Sequence, residues 1–206
     1  MHRNAEEWFQ LYISRGSFLQ SGVEEKDDHF ILRSGVHSRG YFNSTFITED
    51  PVLCKEACAD LLESLAGGGV TPDRIIGSAY GAIYLAGEMA RLLGLGVKRG
   101  FTEKIDGHLK LRRFAVRSGE VIRVVEDAIT LGGSVAETIG EILAKGGVVL
   151  PEICVIVNRS GSDTLVAAGN EYKIISLIRH ELPVWSEATC RDCINGSKAI
   201  HPKVVA

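Results

Sequence analysis

The sequence predicts an α/β fold in which a five-stranded parallel sheet is flanked by helices, with a small hood built from the two chain ends. From residue 50 onward, strand-like runs alternate with helix-like segments. Runs such as residues 121–125 and 149–157 are almost continuously apolar, which is typical of strands buried on both faces of a parallel sheet. The chain has 206 residues, 45% of them hydrophobic, which is enough for one sizeable core but short for two full domains.

Residues 1–49 are predicted to form an N-terminal hood element. Apolar residues at helical spacing predict a helix over residues 3–16. Two runs rich in aromatic or β-branched residues, 29–33 and 41–47, predict strands that are joined by a turn.

The α/β core is predicted to span residues 50–178, and residues 179–206 are assigned to the hood and tail. Asp50 and Pro51 make a good helix start, and the glycines at 67–69 end that helix. The other core elements are predicted as strands over residues 74–76, 97–101, 121–125, 149–157 and 172–177, and as helices over residues 82–93 and 135–145.

Charge and hydrophobicity argue against nucleic acid and membranes as partners. The 23 Lys and Arg residues against 26 Asp and Glu residues give a formal charge of -3, without the basic excess that phosphate backbones attract. No run of about 18 apolar residues occurs, and the N-terminus is acidic where a signal peptide would be basic and then apolar. We therefore expect a cytoplasmic protein, whose five cysteines are reduced rather than paired in a disulfide framework.

Residues 102–119 interrupt the α/β rhythm with a strongly charged stretch that has no helix signature. Loops of this length inside compact domains are often functional, which favours a mobile hairpin or lid over a site. A solvated surface hairpin explains the composition equally well, so the sequence leaves both interpretations open.

The segment VIRVVEDAITLGGS, residues 121–134, carries the most chemical information. Ligands of doubly wound sheets bind at the carboxyl ends of strands, and glycines before a helix start leave N–H groups free for a phosphate. Glu126 and Asp127 lie too close to such a phosphate to be its ligands, which favours ribose hydroxyls or the hydration shell of Mg²⁺ as their partners. The bland alternative is a solvated strand end followed by an ordinary turn.

This segment resembles the signature with which type I phosphoribosyltransferases bind phosphoribosyl pyrophosphate (PRPP). The resemblance implies that Glu126 and Asp127 hold the ribose hydroxyls, that Asp127 is also catalytic, and that the following loop takes the 5-phosphate. Many members have a second Thr where this chain has Leu131. The implied PRPP-binding residues are Glu126, Asp127, Ala128, Ile129, Thr130, Leu131, Gly132, Gly133 and Ser134.

Within this superfamily the chain is most similar to the orotate branch, over most of its length. FILRSGVHSRGYFN, residues 30–43, resembles the element that helps to cover the base, and Asn158-Arg159 resembles an Asp-Arg pair whose arginine binds the orotate carboxylate. Alternatively, the aromatic residues are core of a small appendage and the arginine is a surface residue. The base-binding residues that the resemblance implies are Arg33, Tyr41, Phe42, Thr130 and Arg159.

Two more segments resemble parts of orotate enzymes. The loop formed by Ser78, Ala79, Tyr80 and Gly81 is similar to the loop that contacts pyrophosphate. FTEKIDGHLKLRRF is similar to the catalytic lid of one subgroup, which implies that Lys104 and His108 are catalytic cations for the leaving pyrophosphate. Which cation is essential, and whether it acts on its own subunit's site, stays open.

Cys190 and Cys193 have half of a zinc-ribbon spacing, but no second pair follows, and His180 and His201 lack the usual offsets. The stretch around them also resembles the tail of the same orotate subgroup, where a CxxC followed by glycine is frequent. The sequence places it in the appendage and leaves open whether the two cysteines bind a metal.

The resemblance implies the reaction of orotate with PRPP to give orotidine 5-monophosphate and pyrophosphate, a step of pyrimidine (UMP) biosynthesis. It implies PRPP and orotate as partners, Mg²⁺ as a cofactor brought by PRPP without a strong direct protein ligand, and a homodimer. The alternatives are a phosphoribosyltransferase for another base, such as a purine, and a non-catalytic regulator that binds PRPP or a nucleotide.

Overall fold

The structure, a computed structural model, describes residues 2–22, 28–65 and 70–202. Its helices are α1 (Ala5–Ser14), α2 (Thr45–Glu49), α3 (Pro51–Ser64), α4 (Ile83–Leu93), α5 (Gly133–Ala144) and α6 (Arg191–Ile194). Its strands are β1 (Phe18–Gln20), β2 (His29–Ile31), β3 (His37–Ser38), β4 (Gly40–Phe42), β5 (Arg74–Gly77), β6 (Lys98–Phe101), β7 (Glu103–Ile105), β8 (His108–Lys110), β9 (Val121–Ile129), β10 (Val148–Val149), β11 (Glu152–Asn158), β12 (Thr164–Ala167), β13 (Asn170–Arg179) and β14 (Ala199–Ile200).

The main sheet has the strand order β12-β13-β11-β9-β5-β6, and β10 pairs with the first residues of β9. All neighbours from β13 to β6 are parallel, so the predicted five-stranded parallel core is confirmed. β12 is an antiparallel addition at the edge. The sequence prediction lacks this short strand, of whose four residues three are not buried.

Helices cover both faces of this sheet, which explains the continuously apolar strands. Ile75 lies in an apolar cluster with residues of α1, α3 and α4, whereas its neighbour Ile76 lies in a second cluster with residues of α5. Successive side chains of a strand point to opposite faces, so each central strand contributes to both clusters.

α1 is anchored to the core through polar contacts as well as burial. Trp8 and Tyr12 have no exposed surface. The Trp8 indole donates to Asp60 of α3 over 2.9 Å, and the Tyr12 hydroxyl lies 2.7 Å from the Ser44 hydroxyl. Residues on both sides of position 50 therefore share one core, although that boundary between hood element and core stays a prediction.

The strand predicted over residues 41–47 is only partly correct. β4 ends at Phe42, and α2 follows it. Ile47 is fully buried, and Phe46 sets its ring edge-on against Tyr12 with 4.8 Å between centroids. The β-branched and aromatic residues favour a strand locally, but packing against α1 overrides that preference.

The start of α3 is as predicted, because the Asp50 side chain accepts hydrogen bonds from the backbone N–H groups of Val52 and Leu53. The predicted glycine stop at residues 67–69 lies outside the described residues. The strand predicted over residues 121–125 continues to Ile129, so Glu126 and Asp127 belong to β9 instead of following it.

The hood contains strands from both chain ends, as expected. β14 pairs in parallel with β2, and β2 pairs antiparallel with β3. A further bridge joins His37 to Trp185. Among the described residues, no helix has the length and apolar character that crossing a membrane requires.

A buried ion pair fastens the amino end of the sheet. Arg74 Nε donates to Glu120 Oε1 over 2.9 Å, and both side chains are less than a tenth exposed. Burial raises the pKa of Glu120, but the Arg117 N–H and the Arg74 guanidinium outweigh it, so that the pKa falls below its usual range.

We expect Arg74→Ala to lower the free energy of unfolding by about 3 to 5 kcal/mol at neutral pH, because it leaves the Glu120 carboxylate buried without its cation. A carboxyl group whose pKa is depressed by folding stabilises the protein above its unfolded pKa and loses that effect as the pH falls. The difference in the free energy of unfolding between the parent protein and Arg74→Ala, measured by chemical unfolding, should therefore become smaller below about pH 4.3. Arg91→Ala, which breaks the exposed pair with Glu88, is the control and should change little.

Candidate active site

The predicted site residues meet at the carboxyl edge of the main sheet. Gly77, the last residue of β5, is in register with Val125 of β9, and Asn158, the last residue of β11, is in register with Ile129 of β9. The loop after β5, the acids of β9 and Arg159 after β11 therefore share one edge, where ligands of open α/β sheets bind.

The loop after β5 approaches β9 very closely at Gly81. A Cβ atom on Gly81 would lie 2.3 Å from Asp127 Oδ2, so any larger residue would displace the carboxylate. The predicted pyrophosphate loop and the predicted ribose-binding acid are thus in direct contact.

Two threonine hydroxyl groups outside this loop, those of Thr102 and Thr138, lie within hydrogen-bond distance of its residues. Ser78 Oγ lies 3.1 Å from Thr138 Oγ1 of α5, and Thr102 Oγ1 accepts a hydrogen bond from the Ala79 N–H over 3.4 Å. Ser78, Thr102 and Thr138 are all buried. Nothing in their local sequence marks Thr102 or Thr138, because only the fold brings them under the loop.

Glu126 and Asp127 have different surroundings although they are adjacent. Glu126 is 5% exposed, whereas Asp127 is half-buried. Burial, and then the charge of Asp127, raises the pKa of Glu126 well above its usual range.

The loop between β9 and α5 has the form that the sequence predicts for a phosphate cradle. Gly132 has a φ of 77°, and a Cβ there would come within 2.4 Å of Leu165, so only glycine fits this turn. Gly133 starts α5 beside open space, and the first N–H groups of a helix lack partners within it. Leu131 is exposed, whereas Thr130 and Ser134 are half-buried.

Arg159 lies at the end of β11 with its side chain directed toward the hood. Its guanidinium donates to the Gly40 carbonyl over 2.9 Å and to the Ser38 hydroxyl over 2.7 Å. Its Nε is buried and has no partner among the described residues. Burial lowers the pKa of Arg159 to about 10, so the side chain stays charged at neutral pH, and no described carboxylate pairs with it.

Tyr41 and Phe42 point to opposite sides of β4. Burial and the charge of Asp127 raise the pKa of Tyr41, and the charge of Arg159 opposes them, so this phenol lies near both groups. The ring of Phe42 is 4% exposed and packs on Phe18 at 4.6 Å between centroids. Strand alternation turns the Phe42 ring into the core, and its contact with a base stays a prediction.

Arg33 connects the hood to the loop after β5. Its Nη1 donates to the Ala79 carbonyl over 2.9 Å. The predicted base-covering element therefore touches the predicted pyrophosphate loop.

The charged segment contains a β-hairpin of β7 and β8 that docks along α5. The Glu137 carboxylate lies 3.2 Å from His108 Nδ1 and accepts a hydrogen bond from the Leu109 N–H over 2.8 Å. Glu141, one helical turn later, receives the Leu111 N–H at 3.0 Å. Lys104 is exposed, and within the described parts of the chain no contact joins Lys104 or His108 to Asp127.

Two side-chain contacts of this site escape sequence reasoning. Ser38 and Gly40 hold Arg159, although they precede it by about 120 residues. Their segment resembles the base-covering element, but no local feature of the sequence identifies them as partners of an arginine.

Comparisons with known proteins bear on the family and the fold of this chain. No protein-family model matches the chain. The chain is 34% identical over 200 residues to the orotate phosphoribosyltransferase of Desulforamulus reducens, covering 97% of this chain and 96% of the relative. It is 31% identical over 195 residues to that of Carboxydothermus hydrogenoformans, covering 94% and 95%.

Among solved structures, orotate phosphoribosyltransferase from Aeropyrum pernix superposes with a TM-score of 0.60 at 22% identity, covering 82% of this chain and 92% of that one. At that identity the likeness speaks for the fold, which is the type I phosphoribosyltransferase fold expected from the sequence. Because the relatives with 34% and 31% identity match nearly the whole chain, the chain belongs to the orotate phosphoribosyltransferase family.

Proposed function

We propose that this chain transfers the phosphoribosyl group of PRPP to orotate and releases pyrophosphate, in pyrimidine (UMP) biosynthesis. The observation that carries the choice of base is Arg159, a buried cation at the ligand-binding edge with no described carboxylate partner. A buried charge without a counter-charge is costly, and a planar substrate carboxylate would supply one.

The proposed reaction is a displacement at the anomeric carbon of the ribose. The attacking orotate nitrogen is already anionic, so no covalent nucleophile of the protein is needed. The tasks left to the chain are to orient the two substrates, to stabilise the departing pyrophosphate and to exclude water. The residues in positions to do so are Asp127 for the ribose, the loop of Thr130–Ser134 for the 5-phosphate and Arg159 for the base.

We expect Arg159→Ala to lower kcat/KM for orotate by about 2 to 5 kcal/mol in transition-state free energy, because the substrate carboxylate loses its cation. Uracil, which lacks that carboxylate, should be a poor substrate of the parent protein. The variant should discriminate much less between the two bases in steady-state assays of pyrophosphate release.

Arg179→Ala is the matched control. Arg179 ends the neighbouring strand, in register with Asn158, but pairs with the exposed Asp163. This variant should keep the preference for orotate. A parent protein that uses uracil or a purine better than orotate contradicts the choice of base and leaves the PRPP assignment intact.

The proposed ribose contacts follow from the unequal acids of β9. The half-buried Asp127 carboxylate can accept strong hydrogen bonds from ribose hydroxyls, whereas burial raises the pKa of Glu126 and so disfavours a second charge that would repel the polyanionic PRPP. Support comes from the contact of Asp127 with Gly81 and from the raised pKa of Glu126.

We expect Asp127→Asn to weaken PRPP binding by about 1.5 to 3 kcal/mol, measured by calorimetry, because a charge-assisted hydrogen bond is lost. Glu126→Gln should cost less, since Glu126 is buried and its burial disfavours the charged form that this substitution removes. Asp73→Asn is the control at the opposite edge of the sheet, where the Asp73 side chain, just before β5, accepts the N–H of Val121 at the start of β9. Unchanged affinity in Asp127→Asn would remove this acid from the site.

Lys104 is the proposed cation for the leaving pyrophosphate. It is exposed on the hairpin, so closure of the hairpin could bring it to a substrate without breaking an ion pair of its own. His108 would have to leave Glu137 first. The sequence similarity to the lid and the hairpin form support this role.

We expect Lys104→Ala to lower kcat by about 100-fold or more with little change in the KM for orotate, because a cation that meets developing charge acts mainly in the transition state. Lys110→Ala is the matched control on the same hairpin, since Lys110 pairs with Glu141 over 3.0 Å. A rise in the KM for orotate alone would argue against this role for the hairpin.

Mg²⁺ fits the proposed site as a companion of PRPP. PRPP would bring the ion without a strong direct ligand from the protein, and the half-buried Asp127 carboxylate beside the predicted pyrophosphate loop would accept hydrogen bonds from its water shell. When bound, the ion would neutralise charge on the pyrophosphate.

A homodimer is the proposed assembly. A groove of about 700 Å³ opens between α3, α4 and β6, and its lining includes Ile83, Tyr84, Phe101 and Phe114. Tyr84 is 67% exposed, which is unusual for an aromatic side chain beside an apolar groove unless another subunit covers it.

A further inference from the structure

We propose that the hood of this protein holds a structural zinc ion, coordinated by His29, His37, Cys190 and Cys193. One ligand atom from each side chain lies within 4.8 Å of the other three. His29, His37 and Cys190 are buried, and Cys193 is half-buried. Two thiolates with two imidazoles are a common ligand set of closed, tetrahedral structural zinc sites.

The distances between the ligand atoms match the edges of a zinc tetrahedron. Usual zinc bond lengths place nitrogen and sulfur ligands about 3.6 Å apart and two nitrogens about 3.3 Å apart. Cys193 Sγ lies 3.4 Å from His29 Nε2 and 3.3 Å from His37 Nδ1, and Cys190 Sγ lies 3.5 Å from His29 Nε2. The two nitrogens are 2.9 Å apart.

Hydrogen bonds alone do not account for this convergence. His29 Nε2 has three close neighbours, namely His37 Nδ1, Cys190 Sγ and Cys193 Sγ. An imidazole nitrogen has either one hydrogen or one lone pair, so it serves one of these neighbours well and leaves two unsatisfied. An ion at the centre gives each of the four atoms the same partner.

Charge and orientation also suit zinc. Zn²⁺ with two thiolates and two neutral imidazoles has no net charge, so its burial leaves no uncompensated ion. His29 Nδ1 lies 2.8 Å from the Ser197 hydroxyl. With the ring proton on Nδ1, the Ser197 hydroxyl would accept it and the Nε2 lone pair would face the cluster, which is the arrangement that outer partners give to zinc-bound histidines.

The fold brings these ligands together from distant parts of the chain. His29 and His37 lie on one face of the β2–β3 pair, and the two cysteines flank the start of α6. The ion would therefore fasten the C-terminal tail to the N-terminal strands. Arg39 pairs with Asp192 beside the cluster and supports the same junction.

This site also bears on the base. His37 is followed by Ser38, whose hydroxyl accepts from Arg159. The ion would hold the strand that orients the arginine of the proposed orotate pocket. This consequence rests on the proposed function, whereas the metal site itself does not.

The direct test is the metal content of the full chain purified under reducing conditions from zinc-supplemented cells. We expect about one zinc per chain by mass spectrometry of metals. Cys193→Ala and His37→Ala should lose it. His201→Gln should keep it, since His201 is an exposed histidine outside the cluster. A metal-free chain, or a mass two hydrogens lower that shows a Cys190–Cys193 disulfide, overturns the proposal.

Cobalt provides a test on the unaltered chain in case the variants fail to fold. After the metal is removed with a chelator, added Co²⁺ should produce thiolate-to-metal absorption and the intense visible bands of a tetrahedral site. Added Zn²⁺ should then displace the cobalt and abolish those bands. A weak octahedral spectrum without thiolate absorption would refute the assignment.

Removal of the metal should lower the melting temperature by roughly 10 °C, because a tightly bound ion stabilises only the folded hood. The KM for orotate should rise more than the KM for PRPP, and zinc should restore both. If zinc is bound but its removal leaves the melting temperature unchanged, its structural role is excluded. If the melting temperature falls but the KM for orotate rises no more than the KM for PRPP, the metal does not orient the base-binding arginine. The metal site itself is then still supported.

Discussion

The parallel arrangement of five strands is the constraint on which the rest of this structure depends. Because β5, β9 and β11 run the same way, the residues that follow or end them emerge at a single edge. The close contact of Gly81 with Asp127 and the position of Arg159 are both consequences of that edge. Antiparallel strands would have sent these groups to opposite ends of the sheet.

The edge concentrates polar groups that the free protein does not fully satisfy. Arg159 is buried and its Nε has no partner within the described parts of the chain, and Glu126 is buried beside another acid. Each arrangement costs stability, and neither is needed to hold the core, which two apolar clusters already provide. Such costs are characteristic of sites that a ligand completes.

Sequence reasoning succeeds where the determinants are local. The capped start of α3 depends on neighbouring residues, and so does the glycine turn at Gly132, so their sequence is sufficient to predict them. The strand predicted over residues 41–47 is wrong after Phe42 because distant α1 decides the outcome there. Phe42 shows the same limit, since only the register of β4 reveals which way its ring points.

The cluster of His29, His37, Cys190 and Cys193 could not be predicted from the sequence. The cysteine spacing is visible in the sequence, but the histidines precede the cysteines by more than 150 residues. The two histidines with obvious proximity in the sequence, His180 and His201, are not members. Pairing of β14 with β2 supplies the missing information, and no local pattern encodes it.

The pairing of β14 with β2 also constrains the order in which parts of the protein can fold during synthesis. On the ribosome, all strands of the main sheet emerge before residue 180, so the α/β core can begin to fold while synthesis continues. β2, at His29–Ile31, emerges well before its partner β14, at Ala199–Ile200, and cannot pair with it until residue 200 has been synthesised. A nascent chain can thus form the sheet edge that carries the proposed PRPP-binding residues before its hood is complete, and the proposed base-binding side of the site is finished only after β14 has emerged.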